Sequence, residues 1–224
     1  MKLIEQILRF IAPADCIVCG KEGDILCVDC QGRTELLPSR CYRCYRLTTD
    51  SRTCQPCRSS SLLTHVWIVT SYNAIAKKVI HSLKFKYSRD SAKTIAVQIY
   101  KTLPTLPEGT VITHVPAATS RVRQRGFDQS ALIARELSYI TGLPHVHALA
   151  RLGQHRQVGA SGSTRRQQLR GVFRVVSHDY IKDKKVLLID DVITTGSSLE
   201  EASVTLKSAG VVMVAAAVYA QATR

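Results

Sequence analysis

The chain has 224 residues, with 31 lysines and arginines against 17 acidic residues, and carries a formal net charge of +14. Hydrophobic residues make up 45% of it and charged residues 21%, a globular composition that excludes a disordered or low-complexity chain. Its apolar runs fall short of the roughly 20 residues that a membrane-spanning helix needs, so the sequence predicts a soluble protein. The length allows one medium domain, or one such domain with a small appendage.

The first eleven residues predict a short amphipathic helix, packed on the body of the protein or on a partner. Its apolar residues recur at helical spacing, at Leu3, Ile4, Ile7, Leu8 and Ile11. Glu5 and Arg9 interrupt them, which argues against a secretory signal peptide.

All eight cysteines lie between positions 16 and 57, in four CxxC pairs: Cys16/Cys19, Cys27/Cys30, Cys41/Cys44 and Cys54/Cys57. One CxxC turn directs two thiolates at one point, and a tetrahedral zinc ion takes two such turns. The spacing therefore predicts two structural Zn²⁺ ions with four sulfurs each. Sequential pairing of the turns is the simplest arrangement, and an interleaved one stays open.

A disulfide framework is the competing interpretation of these cysteines. It requires an oxidising compartment, and we find no export signal in the sequence. Because few large apolar residues lie before position 60, we expect metal binding to supply much of the folding free energy there. We predict an N-terminal helix and double zinc-ribbon domain over residues 1–60, ending at three hinge serines, and a second domain over 61–224.

From residue 65 onward, strand-like and helix-like runs alternate. Strands are predicted over 66–70, 111–115, 186–189 and 211–218, and helices over 75–85, 127–140 and 198–209. This alternation is typical of an α/β domain with a mostly parallel sheet flanked by helices.

The stretch over 186–199 combines a buried strand, two adjacent acids and a turn rich in hydroxyl groups. The turn holds Thr194, Thr195, Gly196, Ser197 and Ser198, and opens a helix. Backbone N–H groups at a helix start, with nearby hydroxyls, form an anion cradle. Asp190 and Asp191 would repel a phosphate but can accept hydrogen bonds from vicinal sugar hydroxyls. The stretch therefore predicts a site for a sugar 5-phosphate at the carboxyl edge of the sheet.

This stretch resembles the 5-phosphoribosyl 1-diphosphate (PRPP) motif of type I phosphoribosyltransferases. The resemblance implies that Asp190 and Asp191 contact the ribose hydroxyls and that residues 194–198 hold the 5-phosphate. It implies PRPP or ribose 5-phosphate as ligand, with Mg²⁺ accompanying PRPP. Arg121 and Arg125 follow the strand over 111–115, where this superfamily faces the leaving diphosphate.

Four CxxC pairs ahead of such a domain resemble the ComF family of bacterial competence proteins, which includes GntX-like members. Three further blocks resemble family blocks: Tyr72 with Lys84, Phe85 and Lys86; Val115 and Pro116 with Arg121, Arg125, Gly126, Phe127, Asp128 and Gln129; and Gln157, Arg165, Gln168, Leu169, Gly171 and Phe173. Asp128 and Gln168 stand where asparagine is usual, and Ala160 stands where leucine is usual. The resemblance implies a cytoplasmic role in DNA uptake and natural transformation, alongside a helicase-like partner.

Residues 115–175 hold ten arginines, no lysine and two acids. These arginines could line a diphosphate site, form a groove for single-stranded DNA, or be a solvated face. Tyr42 and Tyr45, beside Arg40, Arg43 and Arg46, offer stacking and charge for unpaired bases. The polar stretch over 154–163 predicts a mobile loop, where the superfamily keeps one that closes over the substrate.

Two functions remain open at this point. The first is a phosphoribosyltransferase that transfers the pentosyl group of PRPP to an acceptor. The second is a non-catalytic competence factor that binds single-stranded DNA and keeps the PRPP site as a sensor or relic. The sequence leaves turnover, the acceptor and the oligomeric state undetermined.

Overall fold

The structure, a computed structural model, describes residues 14–84, 88–152 and 171–222. Several sequence predictions concern residues outside these ranges. They are the N-terminal helix over 3–11, the loop over 154–163, and the motif residues Phe85, Lys86, Gln157, Ala160, Arg165, Gln168 and Leu169.

The cysteine-rich segment contains only short elements among its described residues. They are β1 (Ala14–Asp15), β2 (Glu22–Gly23), α1 (Val28–Gly32), a 3₁₀ turn (Thr49–Ser51) and α2 (Gln55–Arg58). Strands β1 and β2 pair antiparallel. The segment is thus held in shape largely by turns.

The rest of the described chain alternates longer strands and helices. In chain order they are β3 (Leu63–Ser71), α3 (Ala74–Leu83), α4 (Ser88–Thr102), β4 (Thr110–His114), α5 (Thr119–Arg125), α6 (Gln129–Thr141), β5 (Leu149–Arg151), β6 (Phe173–Val175), α7 (His178–Ile181), β7 (Lys185–Ile193), α8 (Ser197–Ser208) and β8 (Met213–Gln221).

Four of these strands form one parallel sheet in the order β3-β8-β7-β4. Strands β5 and β6 form a separate antiparallel ribbon. The predicted α/β fold with a parallel sheet flanked by helices is therefore confirmed. Every predicted strand and helix that lies in the described ranges is present to within a few residues. Helices α4, α5 and α7 and the β5/β6 ribbon were not predicted.

Alternate residues of the sheet strands enter two different cores. In β7, Leu187 and Ile189 pack with helices α3, α4 and α6, whereas Val186 and Leu188 pack with α8 and the ribbon. A strand directs successive side chains to opposite faces, so both faces of this sheet are covered. Such a sheet exposes its loops at its two ends, and the carboxyl end is where we expect a ligand.

The cysteine-rich segment runs along the edge strand β3 and reaches both cores. The backbone N–H of Leu37 donates to the carbonyl of Val69 at 3.1 Å, and the Thr70 hydroxyl donates to the carbonyl of Glu35 at 2.7 Å. Cys16 and Cys30 pack in the core beneath α3, α4 and α6, whereas Tyr42 packs in the core beneath α8. The two cysteine clusters therefore serve opposite faces of the sheet.

Candidate functional site

The two adjacent acids lie within β7, which continues past them to Ile193. One carboxylate oxygen of Asp190 accepts from the Ser130 hydroxyl at 2.9 Å and from the backbone N–H of Asp191 at 3.0 Å. Both carboxylates are half-buried. Ser130 begins α6, so this hydrogen bond ties the helix to the acid pair (Asp190 and Asp191).

Burial raises the pKa of Asp190 well above its ordinary range, and the neighbouring charge of Asp191 raises it further. Burial also raises the pKa of Asp191, and the Lys84 ammonium opposes that rise. An acid pair held in this way is stabilised by groups that satisfy its charge, such as sugar hydroxyl donors or a cation.

Asp128 is the N-cap of α6. Its carboxylate accepts from the backbone N–H groups of Ser130 at 3.0 Å and Ala131 at 3.3 Å. The second oxygen accepts from the N–H of Ala117 at 2.7 Å, which fixes the loop after β4. An asparagine, usual in the resembling family, has one oxygen where Asp128 uses two. Aspartate therefore serves as a structural cap here.

Residues 194–198 comprise the turn after β7 and the first two residues of α8, and are called here the hydroxyl turn. Gly196 is the N-cap of α8 with a φ of +76°, and it provides no side chain to cap the helix. The first helical hydrogen bond runs from Glu200 N–H to the Gly196 carbonyl at 2.9 Å. The hydroxyls of Thr195 and Ser197 lie 2.8 Å apart. The first-turn N–H groups and these hydroxyls together form a cradle suited to an anion.

Tyr42 covers the hydroxyl turn. A Cβ atom on Gly196 would lie 3.0 Å from Cε2 of the Tyr42 ring. The Tyr42 hydroxyl donates to the Glu200 carboxylate and lies 2.8 Å from the hydroxyl of Ser61. Burial, reinforced by the Glu200 charge, raises the pKa of Tyr42 well above its ordinary value, so this phenol remains a donor.

Three cations interact electrostatically with the acid pair. Arg121 and Lys84 each hold the pKa of Asp191 down, and Arg151 of the ribbon interacts with Asp190. The half-buried Arg151 has a lowered pKa because of burial and the positive charge of Arg121. Arg125 lies in the last turn of α5. Within the described part of the chain, the Arg125 side chain makes neither a hydrogen bond nor an ion pair.

The eight cysteines form two clusters whose sulfur atoms lie within 4.8 Å of one another in each. The first cysteine cluster joins Cys16, Cys19, Cys27 and Cys30, and the second joins Cys41, Cys44, Cys54 and Cys57. The pairing of CxxC turns is thus sequential. Each cluster could hold a zinc ion, because four converging sulfurs are the ligand set of a closed structural site.

In each cluster, one thiol has a lowered pKa and another has a raised pKa. For Cys16 burial raises the pKa, but hydrogen bonds from backbone N–H groups outweigh it and lower the pKa to about 6. Burial and the neighbouring thiols raise the pKa of Cys30 to about 12. The second cluster repeats this with Cys41 at about 7 and Cys57 at about 12. A dication in each cluster would favour ionisation of all four thiols.

The proposed stacking surface around Tyr42 and Tyr45 needs revision. Tyr42 is only 3% exposed, whereas Tyr45 is 39% exposed, with the Arg40 guanidinium 5.2 Å from its ring centroid. Arg40 donates to Gln221 at 2.8 Å, and Arg43 donates to the carbonyl of Ser60 at 2.5 Å. Tyr45 and Arg46 remain exposed. The sequence allowed Tyr42 either a base-stacking role or a packing role within the zinc-binding segment, and its burial against Gly196 supports packing.

Comparison with known proteins gives a family match over the second part of the chain. Residues 128–224 match the family described as phosphoribosyl transferase domain. Competence protein F of Haemophilus influenzae is 38% identical over 109 residues, which cover 47% of each chain. Competence protein ComFC of Streptococcus pneumoniae is 28% identical over 196 residues, which cover 84% of each chain. The chain thus aligns with about half the length of the first relative and most of the second.

Solved structures that match part of the chain include the glutamine PRPP amidotransferase from B. subtilis, at 20% identity with a TM-score of 0.40, over 61% of this chain and 30% of that chain. Another is a purine phosphoribosyltransferase from Pyrococcus horikoshii, at 17% identity with a TM-score of 0.31, over 70% of this chain and 78% of that chain.

Across the described residues, we find no helix with the length and apolar character needed to cross a membrane.

Proposed function

We propose that the chain is a ComF-family competence protein and that it binds PRPP, or its ribose 5-phosphate part, at the carboxyl edge of the sheet. The observation that carries the proposal is the acid pair within β7, followed at once by the hydroxyl turn at the start of α8. Acceptors for sugar hydroxyls and donors for a phosphate thus lie on one short stretch of chain.

Mg²⁺ would accompany PRPP, and its carboxylate neighbours would be Asp190 and Asp191. The fit of these residues rests on their burial, which leaves two adjacent acids in need of a cation or of hydroxyl donors. The ion would offset charge on the diphosphate. We assign Arg121 and Arg151 to the diphosphate side, because both interact with the acid pair. Arg125 stays a weaker candidate for that role.

A transfer reaction at this site would break the bond from C1 of the ribose to the diphosphate and form a bond from C1 to an acceptor. Its transition state carries positive charge on the sugar ring. A protein accelerates such a reaction by positioning the reactants and by stabilising the developing charge. When ionised, the acid pair can position the ribose and stabilise positive charge on its ring. The acceptor is left open in the proposal.

The test of this proposal is thermal unfolding with and without ligand. We expect PRPP with Mg²⁺ to raise the unfolding temperature of the wild type, because a ligand that binds only the folded state stabilises it. The double variant Asp190→Asn/Asp191→Asn should lose this shift. The matched control is Asp179→Asn, an acid in α7 whose side chain is fully exposed. An unchanged unfolding temperature of the wild type at saturating PRPP would rule the proposal out.

Release of diphosphate from PRPP, screened against candidate acceptors including DNA, then tests turnover.

Binding of single-stranded DNA is the second candidate function. It is favoured by the similarity to the two competence proteins and by exposed arginines of the cysteine-rich segment, at Arg46, Arg52 and Arg58. Exposed arginines beside an aromatic ring suit a single strand, whose phosphates supply affinity that falls with salt. On this proposal the protein acts in the cytoplasm during DNA uptake, beside a helicase-like partner, with residues 1–60 as a zinc-bearing DNA-binding domain.

Oligonucleotide binding at several salt concentrations tests this second function. The triple variant Arg46→Ala/Arg52→Ala/Arg58→Ala should weaken binding and flatten its salt dependence. Arg174→Ala, an exposed arginine of β6, is the control outside that segment. Affinity that stays flat between low and moderate salt would exclude backbone contact as its basis.

A further inference from the structure

The second cysteine cluster lies close to the hydroxyl turn, although about 140 residues separate them in the chain. Tyr42 and Arg43 lie between Cys41 and Cys44, so any ion in that cluster would fix both residues. The Tyr42 ring packs on Gly196, and its hydroxyl donates to Glu200 of α8. Metal ligation and the phosphate cradle are thus connected through one buried side chain.

Arg43 adds a charge to this contact. Its guanidinium lies 3.3 Å from the Glu200 carboxylate, with both side chains largely buried. Glu200 belongs to the first turn of α8, where a negative charge would compete with a bound phosphate for the same N–H groups. The ion pair with Arg43 therefore offsets a charge that would otherwise weaken phosphate binding.

Further hydrogen bonds fix the position of Tyr42. The Gln221 amide at the end of β8 donates to the Tyr42 carbonyl at 3.2 Å and accepts from Arg40 at 2.8 Å. Ser61, one of the serines predicted to form a hinge, lies 2.8 Å from the Tyr42 hydroxyl. These bonds hold Tyr42 in place against β8 and Ser61, while Tyr42 and Arg43 make the polar contacts with Glu200 of α8.

We infer that Tyr42 is a positioning residue for the phosphate cradle and that the second cysteine cluster is a structural part of the sugar-phosphate site. This inference rests on the proposed function. The Tyr42 ring holds the turn at Gly196, and Arg43 neutralises Glu200. The first cysteine cluster packs in the opposite core and has no such role.

The experiment is calorimetric titration of ribose 5-phosphate, and of PRPP with Mg²⁺, into the full-length zinc-loaded protein. Tyr42→Leu removes the ring and the hydroxyl, and should raise the Kd about tenfold, the effect of leaving one loop to be ordered on binding. Tyr42→Phe keeps the ring on Gly196 and should recover most of the lost affinity. Arg43→Gln leaves the Glu200 charge without its cationic partner and should raise the Kd several-fold. Tyr45→Leu, an exposed tyrosine of the same cluster, is the matched control and should bind as the wild type does.

Zinc content and the unfolding temperature without ligand are measured for every variant. A positioning role predicts weaker binding with two zinc equivalents retained. If Tyr42→Leu loses zinc, Arg43→Gln carries the test by itself. Wild-type affinity of Arg43→Gln, wild-type affinity of a Tyr42→Leu variant that retains zinc, or an equal loss in Tyr45→Leu would overturn the inference while leaving the proposed function intact. Absence of binding by the wild type would overturn both, and is thereby a distinct outcome.

Discussion

Between residues 14 and 60, the large apolar side chains buried besides cysteine are those of Ile25, Leu26 and Tyr42, as far as the described residues go. The four-stranded sheet instead buries apolar side chains on both faces of every strand. Eight cysteines occupy the first region and none the second. Burial of apolar area accounts for the stability of the sheet, and the cysteine-rich segment depends on metal ligation and on its contact with the sheet.

This contrast also separates two kinds of function within one chain. The sheet places the acid pair and the hydroxyl turn, whose geometry follows from a buried strand and a helix start. The cysteine-rich segment contributes Tyr42, whose place follows from the second cysteine cluster. A site made from both regions depends on both sources of stability.

Removal of metal should give the largest effect. Structural zinc contributes about 10–16 kcal/mol of binding free energy to comparable folds. After chelation, amide hydrogen exchange over residues 14–58 should become fast, while the amides of β7 and β8 stay protected. Metal analysis before chelation should give two zinc equivalents. Equal protection of residues 14–58 with and without metal would break the contrast between the regions.

Truncation in the sheet core comes next in size. Leu188 of β7 is fully buried, so Leu188→Ala should lower the free energy of unfolding by about 2–5 kcal/mol through lost contacts and a cavity. Zinc content should stay at two equivalents. The control Val204→Ala removes a 45% exposed side chain of α8 and should change little. Denaturant unfolding measures both, and similar losses in the two variants would contradict this account of the core.

A methyl group at Gly196 should have an intermediate effect that tests the Tyr42 contact. Gly196 has a φ of +76°, and Gly142 has a φ of +73° with nothing near its missing Cβ. Each change to alanine meets backbone strain of about 1–2 kcal/mol. Gly196→Ala should be more destabilising than Gly142→Ala, because its Cβ lies 3.0 Å from the Tyr42 ring. If denaturant unfolding shows that both variants lose the same free energy of unfolding, the Tyr42 ring does not pack closely on Gly196.

Neutralising Asp190 should give the smallest change in the free energy of unfolding. This change should be an increase in stability. Its pKa is raised by burial, so the unfolded state holds its proton less tightly than the folded state. The free energy of unfolding therefore falls as pH rises from the ordinary aspartate value of about 3.9 towards the raised value.

At neutral pH, Asp190→Asn removes that loss while its side-chain oxygen can still accept from Ser130. The unfolding temperature without ligand should rise, by roughly 2–4 °C for each kcal/mol gained. Ser130→Ala, which removes the donor, should act in the opposite direction. A lower unfolding temperature for Asp190→Asn would show that the charged form is favoured in the fold.

Much of the sheet could be predicted from the sequence because its strands are continuous apolar runs. The prediction over 186–189 became β7, which extends through the acid pair to Ile193. Helix α4 was missed although its buried residues Ala92, Ile95, Ala96 and Ile99 recur at helical spacing, because two of the four are alanines and give a weak apolar signal. The ribbon of β5 and β6 was missed because each strand has three residues, too short for any periodicity.

The ligand-binding residues of the site could be predicted from the sequence because they lie in one contiguous stretch, residues 190–198. The residues that tertiary structure brings to this stretch could not be predicted. Ser130, Arg151 and Tyr42 reach the site from an unrelated helix, the ribbon and the cysteine-rich segment. No local pattern marks such residues, since their roles arise only when distant segments pack together.

The most direct test of the central claim is a crystal structure of the full chain with ribose 5-phosphate. We expect the phosphate within hydrogen-bond distance of the N–H groups and hydroxyls of residues 195–198, and the ribose hydroxyls on the carboxylates of Asp190 and Asp191. Density for the sugar phosphate elsewhere on the protein, with the hydroxyl turn free of it, would contradict the account.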